Sequence, residues 1–161
     1  MSWSWRLGSG YTNREPSTKR MREQDIAKLI AACEDAVKRF VPDGETTYCN
    51  AGTSFVAGQM GYPGFIALLA NQIVSKMRTS PEWAEVDAGT AQKLANDGRL
   101  SVAGIQDEPH GHVAAIYPGA AVFSGKWKKL APMVANCGRK NGLMGANYAF
   151  SREPQYWAWV A

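Results

Sequence analysis

The residues able to do chemistry in this chain are few. Of 161 residues, two are histidines and three are cysteines. The histidines stand together in Pro109-His110-Gly111-His112-Val113-Ala114-Ala115, and the cysteines are Cys33, Cys49 and Cys137. An odd number of cysteines cannot pair completely within one chain, which argues against a disulfide framework and leaves room for a reactive thiol. Cys49 is the strongest candidate. It follows the turn signal Pro42-Asp43-Gly44 and precedes a stretch able to run as a buried helix. A thiol at a helix start faces unpaired N–H groups and the positive end of the dipole, which favour the thiolate that attacks carbonyl carbon.

Such a nucleophile needs a base, and imidazole is the side chain that works near neutral pH. His112 opens an apolar stretch that reads as a strand, so the ring would be held rigidly against the Cys49 helix. Gly111 is expected to leave space beside it for a substrate backbone, and His110 reads as a rim residue. The base must be oriented by a third polar group. Asn136, on the next expected strand, would lie within cross-strand reach of His112. Asn141, Asn147, Asp107 and Glu108 are weaker choices. Tyr48 and Asn50 flank the nucleophile, and Tyr62, Trp83 and Trp127 are aromatic; these are the candidate substrate contacts. Plainer readings stand beside each: a buried thiol, a strand histidine, a structural asparagine. Cys49, Cys137, His110 and His112 are chemically suitable zinc ligands. Their spacing matches no finger or ribbon, and no metal or other cofactor is expected.

The elements that must position these groups follow from hydrophobic spacing. Residues 1–21 are rich in Ser, Gly, Arg and Thr and read as an irregular arm, with Trp3 and Trp5 tacking it to the body. Ile26, Leu29, Ile30, Cys33, Val37 and Phe40 recur at helical spacing over 22–41, which makes Cys33 core. Helices are expected over the Cys49 segment, over 65–77, around Trp83 and Val86, and over 89–96, ending at Asp97-Gly98. Strands are expected over 100–105, 113–117, 132–137, 144–150 and 156–160. Helices first and short antiparallel strands last make an α+β layout, a single domain over 22–161.

Composition limits the function classes. A chain of this length can hide roughly 70% of the surface it exposes unfolded, so it needs no staples. The net charge of +4 and the pI near 9 suit an anionic partner such as cell-wall polymer, a membrane surface or nucleic acid. The basic residues are scattered apart from Lys126, Lys128 and Lys129, so nucleic acid is not expected as a partner. No stretch reaches the length of a membrane span. The first eleven residues lack the apolar run of a signal peptide, so synthesis in the cytoplasm is expected, with action after release or delivery.

Cysteine at a helix start, Gly111-His112-Val113-Ala114 opening a strand, and a polar residue on the following strand resemble the papain-like cell-wall hydrolases, the NlpC-type peptidases and CHAP amidases. The resemblance spans roughly 46–150. The stretch Asn136-Cys137-Gly138-Arg139-Lys140-Asn141-Gly142 is similar to the third motif of a phage- and toxin-associated branch. The resemblance implies a papain-like fold with N-terminal helices on a small antiparallel sheet. It further implies Cys49 as nucleophile, His112 as base and Asn136 as orienter, with backbone N–H groups at the helix start in the oxyanion hole. Amide bonds in peptidoglycan peptide stems would be cut through an acyl-enzyme, by amidase or endopeptidase action in the periplasm or on the wall. An immunity protein or delivery machinery would be its protein partners. Where family members have Asp-Cys-Ser-Gly, this chain has Tyr48-Cys49-Asn50-Ala51. Acyl transfer by the same Cys–His pair, a wall-binding module without catalysis and a zinc-stabilised interaction domain are the alternatives.

Overall fold

Short apolar runs after Gly98 supply most of a sheet, and the helical spacing before it supplies helices that pack on it. The structure, a computed structural model, describes the backbone of residues 9–160 and side chains from residue 18 onward. Helix α1 spans Ser9–Arg39, α2 Cys49–Gln59 and α3 Ala70–Thr79. Strand β1 (Trp83–Val86) and helix α4 (Ala88–Asn96) lead to β2 (Ser101–Ile105) and β3 (His112–Ile116). A hairpin of β4 (Val122–Ser124) and β5 (Lys129–Ala131) precedes β6 (Met133–Cys137) and β7 (Asn141–Gly145). Helix α5 (Ala146–Ala149) and strand β8 (Gln155–Trp159) complete the order. Six strands form one sheet in the order β1-β8-β2-β3-β6-β7, with every neighbouring pair antiparallel. The α+β class follows directly.

The core lies between α1, α2, α3 and the sheet. Leu29 and Cys33 of α1, Val56 of α2, and Ile73, Val74 and Met77 of α3 are buried with Val102, Val113 and Trp157 of the strands. Each large side chain so buried contributes about 1.5–3 kcal/mol. Gln92 joins the elements with polar bonds. Its Nε2 donates to the Tyr117 carbonyl at 3.0 Å, and its Oε1 accepts from Met133 N–H at 2.8 Å. This satisfies the amide and locks α4 to the ends of β3 and β6. Among the described residues no helix is long and apolar enough to cross a membrane.

Several local expectations are corrected. The helix expected around Trp83 and Val86 is β1, because Trp83 pairs with Trp159 and Val86 with Tyr156. A helix expected from 65 begins only at Ala70, since the chain turns at Gly61 and Ala67, both at positive φ. The strand expected over 144–150 is the end of β7 followed by α5. The backbone is helical from Ser9, so residues 9–21, read as irregular, are the first turns of α1. Residues 1–8, with Trp3 and Trp5, lie outside the described residues.

Candidate active site

Helix α2 starts at the nucleophile candidate itself. Asp43 and Thr46 exchange backbone bonds at 2.9 and 3.0 Å around Gly44, whose φ of 62° suits a residue without Cβ. This tight turn separates α1 from α2 and sets Cys49 as the first helical residue. Cys49, Thr53, Val56 and Ala57 form the buried stripe that seats the helix. Tyr48 precedes it, and its side chain caps nothing. The first intrahelical donor is Gly52 N–H, bonded to the Tyr48 carbonyl at 2.8 Å. The N–H groups of Cys49 and Asn50 are therefore left to the thiol, which they face.

The thiol lies in a gap of the sheet. Strands β3 and β6 are paired at Ala115–Ala135 and Ile116–Val134 and diverge beyond. The start of α2 enters where they part: Tyr48 N–H donates to the Cys137 carbonyl at 3.3 Å, and the Cys49 sulfur lies against Val113 N–H. Helix and strands are fitted there without slack. A Cβ on Gly52 would overlap the Cys137 sulfur and come within 2.9 Å of its Cβ.

His112 opens β3, one residue before the Val113 N–H that meets the thiol. Side chains alternate along a strand, so His112 and Asn136 project from one face while Val113 and Cys137 project from the other. The ring closes over Gly138, where an added Cβ would lie 3.0 Å from Cε1. Phe150, itself buried, covers the ring edge-on at a centroid distance of 4.8 Å. The Asn136 amide is aimed by its own contact, Nδ2 donating to the Lys140 carbonyl at 2.5 Å. Its Oδ1 therefore faces His112 and accepts from Nε2–H at 2.6 Å. Fixing Nε2 as the protonated nitrogen leaves Nδ1 bare, the state a general base requires.

Burial sets the resting protonation. It pushes the Cys49 thiol up, against the pull of the Val113, Asn50 and Cys49 N–H groups. It pushes the His112 imidazolium down, against the Asn136 contact. Both groups rest neutral near pH 7. The thiolate expected from the helix start is not the resting form, because desolvation outweighs the N–H groups.

A cleft of about 450 Å³ opens on the thiol, within the range of small-ligand sites. Cys49, Asn50, His110 and Gly111 line it, together with Glu45, Thr46 and Thr47 and with Leu69 to Gln72. Glu45 forms an ion pair with Arg139, both side chains exposed. Asn50 turns to the wall, its Nδ2 donating to the Leu68 carbonyl at 3.0 Å. Asn71 fixes the floor: its Nδ2 donates to the Asp107 carbonyl at 2.8 Å, and its Oδ1 accepts Asp107 N–H at 3.2 Å. A Cβ on Gly111 would overlap Asn71 Oδ1 and crowd the Ile105 carbonyl, so close packing requires the glycine at this edge of the cleft.

Other expected contacts fall elsewhere. Tyr62 and Trp83 are buried in an aromatic cluster with Phe65 and Trp159, because ring packing there excludes water and substrate alike. Tyr48 lines a separate groove with Arg39, Phe40 and Val41. Trp127 sits at the β4–β5 turn, its N–H bonded to Ser124 Oγ at 3.0 Å. Cys33 is fully buried. Among the described residues no three His, Cys, Asp or Glu side chains gather as metal ligands, so the zinc set does not assemble. Phe150 serves the ring without having been singled out in the sequence, and Gly138 and the Lys140 carbonyl entered only as members of the Asn136–Gly142 stretch. Glycine and phenylalanine carry no chemical signal by type, and a carbonyl belongs to every residue. No family model matches the chain, and no curated protein matches it.

Proposed function

We propose that this chain is a cysteine-dependent amide hydrolase of papain-like architecture, acting on the peptide stems of peptidoglycan. One observation carries the reading: the run of contacts from the Lys140 carbonyl through Asn136 to His112 Nε2. It leaves Nδ1 bare on the residue next to Val113, whose backbone N–H meets the Cys49 thiol. In the proposed reaction His112 Nδ1 takes the thiol proton as sulfur attacks the scissile carbonyl carbon. The N–H groups of the uncapped α2 start stabilise the oxyanion. The imidazolium, steadied by Asn136, returns its proton to the departing amine. Water, deprotonated by the same nitrogen, then releases the acyl group from sulfur.

The substrate class is supported by the likeness of Cys49-Asn50 and Gly111-His112-Val113-Ala114 to cell-wall hydrolases, and by a net charge of +4 that favours an anionic polymer. Action on the wall follows from that substrate, after release or delivery, with an immunity protein as the natural partner. Mass spectrometry of purified sacculi incubated with wild type and Cys49→Ala tests this. One new amine and one new carboxylate per cut, with wild type only, are expected. Transfer of the acyl group to an added amine in place of water would reassign the site to acyl transfer. Release of nothing by wild type, or equal release by both, would overturn the reading.

A further inference from the structure

Leu69 is the one large aliphatic side chain among the residues lining the thiol cleft, and it is 64% exposed. Ile66, three residues before it on the same loop, is 68% exposed. Nothing in their position is slack. Phe65 anchors the loop by complete burial, and Leu68 N–H donates to the Phe65 carbonyl at 3.1 Å. Lys76 Nζ donates to the Gly64 carbonyl at 2.9 Å, and Leu69 N–H to Gln72 Oε1 at 2.8 Å. Asn50, adjacent to the nucleophile, holds the Leu68 carbonyl. Between these ties Ala67 is kept at φ 65°, a conformation that a residue with a Cβ adopts only when its surroundings impose it. The loop is thus fixed against the residue beside Cys49 and turns a leucine into water at the cleft edge. The rest of the lining is largely polar, with Thr46, Thr47 and the ion-paired Glu45 among it.

We propose that Leu69 is an apolar lip that receives an aliphatic side chain of the substrate beside the scissile amide. It determines specificity rather than catalysis. This rests on Cys49 as the nucleophile of the site. Covering the lip removes apolar surface from water only when the bound chain carries an aliphatic group, so substrates with short polar side chains gain nothing from it. Asn50 acts as a positioning residue, coupling the lip to the helix start.

Alkylation of Cys49 by N-butyl iodoacetamide and by N-(2-hydroxyethyl)iodoacetamide separates the lip from the chemistry. In each case sulfur forms one bond to carbon, iodide leaves with the bonding pair, and the thiol proton passes to the base. Rates are read by peptide mass spectrometry at Cys49 alone. Wild type is expected to favour the butyl reagent about tenfold, the scale of one aliphatic contact in a specificity pocket. Leu69→Ser is expected to bring the ratio near one, and Leu69→Met to keep it. A wild-type ratio near one, or a ratio that survives Leu69→Ser, overturns the lip. Failure of the nucleophile–base reading is visible separately: His112→Ala would then leave both rates at neutral pH as they are in wild type.

Discussion

Helices α4 and α2 begin in opposite ways. Before α4, Asp87 has extended backbone, with ψ 171°, and its carboxylate accepts Thr90 N–H at 2.7 Å. That bond holds the carboxyl below its ordinary range. Before α2, Tyr48 has ψ 36°, away from the extended conformation a capping residue adopts, and its side chain accepts nothing. The free donors face a thiol instead. One helix start uses its unpaired N–H groups for stability, and the other leaves them to a sulfur that opens on a cleft. A side-chain cap at α2 would satisfy the donors an oxyanion needs. The contrast ties local backbone conformation to what each helix end can do.

Substitutions sharpen the contrast in descending order. Cys49→Ala should lower amide cleavage by at least about 10³-fold while leaving the circular dichroism spectrum intact, since it removes the nucleophile and a single sulfur atom. His112→Ala should cost about 10²–10⁴-fold, the usual share of a general base. Asn136→Ala should cost less, about 10–10²-fold, because it frees the ring without removing it. Both are read in kcat/KM on soluble muropeptides. Gly52→Ala should destabilise by about 1–3 kcal/mol in urea unfolding, because its new methyl overlaps Cys137 across the α2–β6 contact. Asp87→Ala should lower Tm by about 3 °C with kcat/KM unchanged, the effect of losing a cap far from the thiol. Equal loss of activity from Asp87→Ala would break the comparison between the two helix ends.

The pH response follows from His112. Its folded-state value lies below the ordinary 6.5 because burial disfavours the charged ring. As pH falls below 6.5 the unfolded chain takes this proton first. The group's contribution to stability is thus complete above 6.5 and lost as pH falls through the folded value. The base stays neutral over the same interval, so the acid limb of kcat/KM is expected below 6.5.

Much of the scaffold was legible because it rests on local patterns. The apolar spacing around Leu29 and Cys33 gave α1, and Asp97-Gly98 closed α4 where expected. Strands β2, β3, β6 and β8 were visible as short apolar runs. What escaped depends on distant partners. Trp83 reads as helical until Trp159 pairs with it, and 144–150 divides only because Ala146 N–H bonds the Pro132 carbonyl at 2.8 Å. At the candidate site, the His112–Asn136 contact followed from reasoning about strand neighbours. The burial of Tyr62 and Trp83 did not, because an aromatic ring has the same letter in a cleft and in a core. Nor did the neutral thiol, since desolvation depends on what surrounds Cys49 and no motif encodes it.

The account turns on sulfur attacking an amide carbon from the uncapped start of α2. Acid-quenched incubation of the protein with soluble muropeptides, followed by peptide mass spectrometry, tests that step directly. An acyl group bound through a thioester to the peptide carrying Cys49, weaker in His112→Ala and lost in Cys49→Ala, is the predicted result. Cleavage that proceeds in Cys49→Ala at the wild-type rate, with no adduct on sulfur in either protein, would contradict it.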